Sequence, residues 1–141
     1  MTEPTPAVVR QRVAEGRVGV LATVTADGRP HVVPCCYVLA GSPGRDTLYS
    51  AVDAKPKTTT ALRRLENLAT RPWASLLVDR YAEDWATLWW IRLDGSTRVL
   101  HDGDEFTDAL VALRAKYAQY GAVALPGPVI ALDVATWRWW P

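Results

Sequence analysis

An Asp-Gly pair near the N-terminus, Asp27-Gly28, separates two apolar runs and constrains the fold more than any other feature. The run RVGVLATVT (17–25) reads as a strand that is apolar on both faces, and PHVVPCCYVLA (30–40) reads as its antiparallel partner. Asp-Gly between two such runs is a strong signal for a tight β-hairpin. Because Pro30 and Pro34 cannot donate hydrogen bonds to a sheet, the second strand is predicted to lie at an edge or to be interrupted near Pro34.

Three helices are predicted around this hairpin. Thr5 is suited to cap the first helix with Pro6 at its first position, and Gly16 to end it in the left-handed conformation. Leucines and alanines at helical spacing place a second helix over residues 58–69, and an apolar stripe places a third between residues 102 and 121. The helices therefore lie between and before strands and do not alternate regularly with them.

Further strands are predicted over residues 47–52, 73–79, 86–100 and 129–139, which gives six in total. A chain whose first two strands form a hairpin does not follow a simple strand–helix–strand alternation. The pattern favours one domain over residues 1–141, mainly β (α+β), in which a closed or partly split antiparallel barrel carries helices over its ends.

The composition is that of an ordinary globular domain, with 49% hydrophobic and 22% charged residues among 141. A net charge of +1 gives no general attraction to nucleic acid or anionic lipid, so neither partner is expected. No apolar run approaches the roughly 20 residues that span a bilayer, and the N-terminus lacks a signal-peptide pattern, so we expect a cytoplasmic protein. The adjacent Cys35 and Cys36 point to opposite faces of a strand and are not expected to form a disulfide.

Basic residues cluster at the predicted junction between the third strand and the second helix, AVDAKPKTTTALRRL (51–65). Free backbone N–H groups and the positive end of the helix dipole favour an anion there, and Lys55, Lys57 and Thr58 add donors. The spacing is not that of a P-loop, and a solvated basic face explains the same residues. The residues alone leave both interpretations open.

Seven tryptophans leave three further interpretations open: a large core, a wide interface, or a wall for a planar ligand. His31 and His101 lie far apart in the sequence and no cysteine pair has metal-binding spacing, so a zinc site is not expected. No Gly-x-Ser-x-Gly motif is present either. The chain thus lacks groups for hydrolysis or metal chemistry, and the pattern fits a protein that binds a phosphorylated planar cofactor and leaves the chemistry to it.

Three segments together resemble a known family: ADGRPHVVPCCYVL, LYSAVDAKPKTTTALRRLENLATRPWASLLVD and DWATLWWIRLDGSTRVL. They are similar to the split-barrel flavin/deazaflavin family related to pyridoxamine 5′-phosphate oxidase, and most of all to its actinobacterial branch of probable F420-dependent oxidoreductases. The similarity runs from about Val18 to Trp139. It implies a six-stranded antiparallel split β-barrel of the FMN-binding type, with about three flanking helices, that forms a homodimer with the cofactor at the subunit interface.

The resemblance also implies which residues contact the cofactor, coenzyme F420 or alternatively FMN. Its phosphate would bind the basic junction, at Lys55, Lys57 and Thr58. Its ring would lie beside the second strand, which offers backbone groups at Val33, Pro34 and Cys35. The third strand would lie near the ring or the ribityl chain, at Tyr49, Ser50 and Ala51. The substrate side would be walled by Trp85 and Trp89, and the resemblance identifies no catalytic residue and no metal.

One departure from the family bears on activity. Pyridoxamine phosphate oxidases carry an Arg-x-Val-Leu-Leu-Lys strand, where this chain reads HVVPCC (31–36), and a C-terminal arginine segment, where this chain ends in WRWWP. The favoured hypothesis is therefore an F420-dependent reductase that transfers a hydride between the deazaflavin and a small conjugated organic substrate. The alternatives are an FMN-binding oxidase or flavin reductase, a non-catalytic cofactor-binding protein, and a basic junction that is only structural beside a tryptophan-rich protein interface.

Overall fold

A computed structural model describes residues 2–52, 59–125 and 127–141, with the backbone alone for residues 59–62. This part of the chain contains three α-helices, α1 (Pro6–Glu15), α2 (Thr59–Thr70) and α3 (Asp104–Lys116). It also contains seven strands: β1 (Gly19–Val24), β2 (Pro30–Cys35), β3 (Val38–Ser42), β4 (Arg45–Ala51), β5 (Trp73–Arg80), β6 (Trp89–Leu100) and β7 (Val129–Trp140). Short 3₁₀ turns at Trp85–Thr87 and Ala118–Gly121 precede β6 and follow α3. Within the described residues, no helix is both long enough and apolar enough to cross a membrane.

The strands form one sheet in the order β2-β1-β5-β6-β7-β4-β3, with every neighbouring pair antiparallel. The two edge strands, β2 and β3, are separated by only Cys36 and Tyr37. Three residues of chain span at most about 11 Å, so the end of β2 and the start of β3 lie close together. The sheet therefore curls into a barrel that stays split between its two edges, which confirms the predicted fold class of a mainly β, antiparallel split barrel.

The strand count differs from the six that the sequence pattern predicted. The predicted strand over residues 30–40 is two strands, because the chain leaves one edge of the sheet after Cys35 and joins the other edge at Val38. The prediction for Pro34 is confirmed in both respects: β2 is an edge strand, and it ends one residue after this proline.

The first helix begins as predicted and ends differently. Thr5 Oγ1 accepts a hydrogen bond from the Val8 N–H, and Pro6 is the first helical residue. Gly16 follows the helix in an extended conformation, with φ −61°, and not in the left-handed one. Glycine is required there for a different reason, because a Cβ at this position would collide with the Tyr37 hydroxyl.

Two hydrophobic clusters hold the fold together. The first fills the barrel with strand residues such as Leu21, Leu76, Ile91 and Leu93, and helices α1 and α2 add apolar side chains to it. The second lies outside the barrel, where α3 packs against β3, β4 and β7. A fully buried leucine or isoleucine contributes roughly 1.5–3 kcal/mol, so the barrel interior is the main source of stability.

Candidate functional site

Strand β2 presents its side chains on alternate faces, and this divides the residues that were predicted beside the ring. Val33 and Cys35 point into the barrel, where each is 8% exposed, whereas Pro34 faces outward. Among the described strands β2 pairs only with β1, so the backbone groups along its other edge have no strand partner. Any ligand contact by Val33 or Cys35 must therefore use the backbone, as the sequence comparison implied.

Strand β4 divides its three predicted residues in the same way. Ser50 faces the barrel interior and donates a hydrogen bond to the Cys36 carbonyl oxygen at 2.8 Å. Tyr49 and Ala51 face the opposite side and pack in the cluster beneath α3. The three side chains therefore do not converge on one ligand, and Ser50 is the one that reaches the segment between the sheet edges.

Tyr49 is occupied by a carboxylate. Its hydroxyl donates to Glu105 Oε2 at 2.6 Å, and Arg98 binds the same carboxylate with two nitrogens at 2.7 and 2.8 Å. Burial, and then the hydrogen bond to Glu105, raise the pKa of Tyr49 to about 12. Tyr49 thus stays protonated at neutral pH and serves to attach α3 to the sheet.

The two residues that cross the split are fixed by distant parts of the chain. Tyr37 is fully buried, and its hydroxyl donates to the Val13 carbonyl oxygen. The Tyr37 N–H donates to the Tyr117 hydroxyl at 3.1 Å, and Lys116 Nζ donates to the Tyr37 carbonyl oxygen at 2.9 Å. These contacts hold the end of β2 in position, so its free edge is a rigid surface for a ligand.

The surroundings of Cys35, at the end of β2, include the positive charge of Arg64. Burial raises the pKa of the Cys35 thiol, and a hydrogen bond with Ser50 and the charge of Arg64 oppose that rise. Cys35 is therefore a protonated core residue and not a nucleophile. Arg64, on α2, makes no hydrogen bond or ion pair with other described residues, and its buried Nε has no partner among them. Its guanidinium is thus available to an anion close to the split.

The basic junction follows the predicted order of elements, since β4 ends at Ala51 and α2 begins at Thr59. Lys55, Lys57 and Thr58 lie outside the described residues, and their role in phosphate binding remains a prediction. The helix that follows the junction, α2, is anchored to the sheet. Asn67 Nδ2, on α2, donates to Thr23 Oγ1 of β1 at 3.0 Å, with both residues buried.

His31 and Arg64 are the two polar residues in this region that sequence analysis underestimated. His31 lies opposite Thr23 on β1, and its Nδ1 is buried without a partner among the described residues. Asn67 of α2 contacts that same threonine, so His31 lies beside the part of β1 that α2 covers. The available sequence signal was the position of His31, which stands where the family carries the arginine of Arg-x-Val-Leu-Leu-Lys.

The two tryptophans predicted to wall the substrate lie on the 3₁₀ turn before β6 and at the start of β6, and their role stays a prediction. Trp85 is 69% exposed on the 3₁₀ turn, with its Nε1 3.5 Å from the Tyr81 hydroxyl. Trp89 is half-buried and lines a groove of about 640 Å³ between α1, the end of β5 and the start of β6. The lining of that groove includes no residue of β2, β4 or α2, so the structure does not bring Trp89 together with the predicted cofactor residues.

Comparison with known proteins identifies the family. The sequence matches the pyridoxamine 5′-phosphate oxidase family over residues 5–141. The chain belongs to this family. No curated protein sequence shows significant similarity to it.

Several solved structures share the fold of this chain. A conserved hypothetical protein from Mycobacterium tuberculosis is 19% identical, with a TM-score of 0.75 over 98% of this chain and 85% of that one. A heme binding protein from Mycobacterium smegmatis is 25% identical, with a TM-score of 0.71, and this chain, 99% of which is covered, spans only 55% of it. A FAD-binding protein from Mesorhizobium loti is 18% identical, with a TM-score of 0.70 over 96% of this chain and 94% of that one. Proteins that share this fold thus include one named as heme-binding and one named as FAD-binding.

Proposed function

We propose that this pyridoxamine 5′-phosphate oxidase family member is an F420-dependent reductase, which acts on small conjugated organic substrates as a homodimer. The observation that carries the proposal is the split between β2 and β3, where an unpaired strand edge ends at Cys35, whose thiol is influenced by the charge of Arg64, a residue with an unpartnered buried Nε. Among the described residues, no group of three histidine, cysteine or acidic side chains is placed to hold a metal. The site offers positive charge and hydrogen bonds, which suit a bound cofactor that performs the chemistry.

The residues near the split fit a phosphorylated cofactor. A phosphate would be held by Arg64 together with Lys55, Lys57 and Thr58, since a guanidinium and lysines at the start of a helix are typical phosphate ligands. The free edge of β2, at Val33, Pro34 and Cys35, would orient the flat ring through backbone groups. When bound, the deazaflavin supplies hydride transfer, and the protein contributes orientation and electrostatics.

Solvent suffices for proton delivery. His31, Tyr37 and Tyr49 are the candidate proton donors among the side chains, and the hydroxyls of the two tyrosines are committed to the Val13 carbonyl oxygen and to Glu105. The pKa of each is raised, first of all by burial, which makes neither a better acid at neutral pH. Water reaching the substrate is therefore the proposed source of the proton.

The outer face of β2, β1 and β5 supports the proposed homodimer. Across this face the strand register places Pro34 beside Val20 and Val20 beside Leu77. Val32, on β2, is 59% exposed in the same layer. An exposed apolar sheet face of this kind suits a self-complementary two-fold interface. Such an interface would place the free edge of β2 at the boundary between two subunits.

The family match itself also supports the flavin-dependent alternative. FMN carries a phosphate and a flat ring, so the same residues suit it. With FMN bound, the protein would be an oxidase or a flavin reductase. A non-catalytic cofactor-binding protein would also use these residues. Cofactor preference separates the first alternative from the proposal, and turnover separates the second.

The proposal is tested by fluorescence titration of the purified protein with coenzyme F420, for the parent and three variants. Lys57→Ala and Arg64→Ala should each weaken binding by about 1.5–3 kcal/mol, because each removes a charged hydrogen bond to phosphate. Arg114→Ala is the matched control, since Arg114 is exposed on α3. Unchanged affinity in both site variants would overturn the phosphate assignment. Tight binding without turnover of any conjugated acceptor would favour the non-catalytic alternative.

A further inference from the structure

The groove that contains Trp89 lies away from the proposed cofactor site. It forms where β1 begins and β5 ends, and the C-terminal part of α1 covers one side of it. Helix α2, by contrast, contacts the far end of β1, where Asn67 binds Thr23 and Arg71 binds the Thr25 carbonyl oxygen. Its volume of about 640 Å³ falls within the roughly 300–1,000 Å³ that is usual for small-molecule sites. We call this cavity the α1 groove.

The charge of the α1 groove is positive. Its lining contains three arginines, Arg12, Arg17 and Arg80, against the two carboxylates of Glu15 and Asp79. Glu15 Oε1 accepts a hydrogen bond from the neutral Gln11 amide at 2.7 Å. None of the three arginines forms an ion pair with another described residue, so the charged hydrogen bonds of this groove are available to a ligand.

A second cation, Lys116, lies near Arg17 and adds to the positive charge. Arg17 donates to the Lys116 carbonyl oxygen at 3.0 Å, and its guanidinium lies 4.6 Å from the Tyr117 ring centroid. Lys116 Nζ lies 5.3 Å from the same ring. Burial, and then the charge of Arg17, lower the pKa of Lys116 to about 8. Two cations thus share this end of the barrel, and neither forms an ion pair with a described carboxylate.

The wall of the α1 groove is aromatic. The Arg12 guanidinium lies 5.1 Å from the centroid of the Trp89 ring, within the range of a cation–π contact. A planar guanidinium beside an indole offers a flat surface against which another ring can stack. Val78 and Leu88 add apolar surface beside it. One side of the α1 groove is thus aromatic and apolar, and the rest of its lining is mainly polar.

We propose that the α1 groove is a second binding site, which takes a planar aromatic molecule that carries an anionic group. The ring stacks beside Arg12 and Trp89, and the anion binds Arg80 and Arg17. The proposal does not depend on the identity of the cofactor, because the groove shares no lining residue with β2, β4 or α2.

The test is a titration of the isotope-labelled full chain with 2-naphthoate, followed by amide chemical shifts. Its neutral analogue 2-naphthamide and inorganic phosphate serve as probes of the ring alone and the anion alone. Saturable shifts are expected at residues 15–18, 78–80 and 86–89. Arg12→Ala and Arg80→Ala should each weaken 2-naphthoate binding about three- to tenfold, as expected for charged contacts near a surface. Arg114→Ala should bind like the parent, and thermal melts establish that each variant is folded.

Each of the other outcomes overturns the proposal. Equal affinity for 2-naphthoate and 2-naphthamide would exclude a role for the anion. Phosphate alone binding as tightly as 2-naphthoate would exclude a role for the ring. Shifts confined to other parts of the chain, parent-like affinity in folded Arg12→Ala and Arg80→Ala, or no saturable binding would each exclude the site itself.

Discussion

The hydroxyl of Tyr117 fixes the segment that crosses the split of the barrel, and Tyr117→Phe removes that single atom. The hydroxyl accepts the buried Tyr37 N–H at 3.1 Å and lies 3.0 Å from the carbonyl oxygens of Arg17 and Tyr37. Phenylalanine keeps the ring and its packing, so no cavity forms. The Tyr37 carbonyl oxygen keeps a partner in Lys116. The variant therefore leaves one buried donor, the Tyr37 N–H, without an acceptor.

The magnitude follows from that count. An unsatisfied buried donor costs about 1–3 kcal/mol, and the hydrogen bond that the hydroxyl donates adds about 1 kcal/mol or less. We expect Tyr117→Phe to lower the free energy of unfolding by about 1.5–3 kcal/mol. At roughly 2.1 cal/mol/K of unfolding entropy per residue, that change lowers Tm by about 5–10 °C in a chain of this length.

Urea unfolding followed by circular dichroism measures the effect directly, as a lower midpoint at unchanged slope. Tyr81→Phe is the matched control, because Tyr81 is 65% exposed and should change stability by less than about 0.5 kcal/mol. If Tyr117→Phe unfolds within about 0.5 kcal/mol of the parent, as the control does, the reasoning about the buried N–H is refuted.

Three further predictions concern other parts of the molecule. Hydrogen bonds from Arg98 and then Tyr49 hold the pKa of Glu105 at about 2 against an ordinary 4.5, so this carboxylate stabilises the fold above pH 4.5 and loses that contribution as the pH falls toward 2. Glu105→Gln should therefore show a shallower loss of stability over that range, by less than about 1 kcal/mol because the pair is partly exposed, and parallel pH profiles would contradict this. With a thiol reagent such as 5,5′-dithiobis(2-nitrobenzoate), the partly exposed Cys36 should react well before the buried Cys35, and a fast phase that survives in Cys36→Ser would show the opposite order. Val32→Glu should convert the proposed homodimer to a folded monomer in analytical ultracentrifugation, whereas Val111→Glu, at a site of similar exposure on α3, should not. Identical sedimentation of the two variants would exclude the proposed interface.

The elements that sequence predicted well are those fixed by local chemistry. The turn at Asp27-Gly28 and the start of α1 at Thr5 depend on residues within three or four positions of one another. The break between β2 and β3 depends on contacts that sequence does not show as neighbours, since Tyr37 is held by Val13 and by Tyr117, 24 and 80 residues away. A continuous apolar run therefore reads as one strand where the folded chain has two.

The candidate site was predictable to a similar extent. The period of two along a strand indicates that Tyr49 and Ser50 face opposite sides, but only the fold shows that α3 covers Tyr49 and that Ser50 faces the interior. The sequence leaves two interpretations of Arg64, a contribution to binding the oligoglutamate tail of F420 or a plain helix-surface charge. Its effect on Cys35 depends on how α2 packs across the barrel. The α1 groove combines residues from both ends of the chain, which no local pattern brings together.

Cofactor preference separates the deazaflavin-dependent reductase from the flavin and heme alternatives. Equilibrium binding of the purified protein to coenzyme F420, FMN and heme should be measured side by side under one set of conditions. We expect F420 to bind most tightly and Lys57→Ala to weaken that binding. Preference for FMN or for heme, or binding of none of the three, would contradict the assignment of this split barrel to the deazaflavin-dependent reductases.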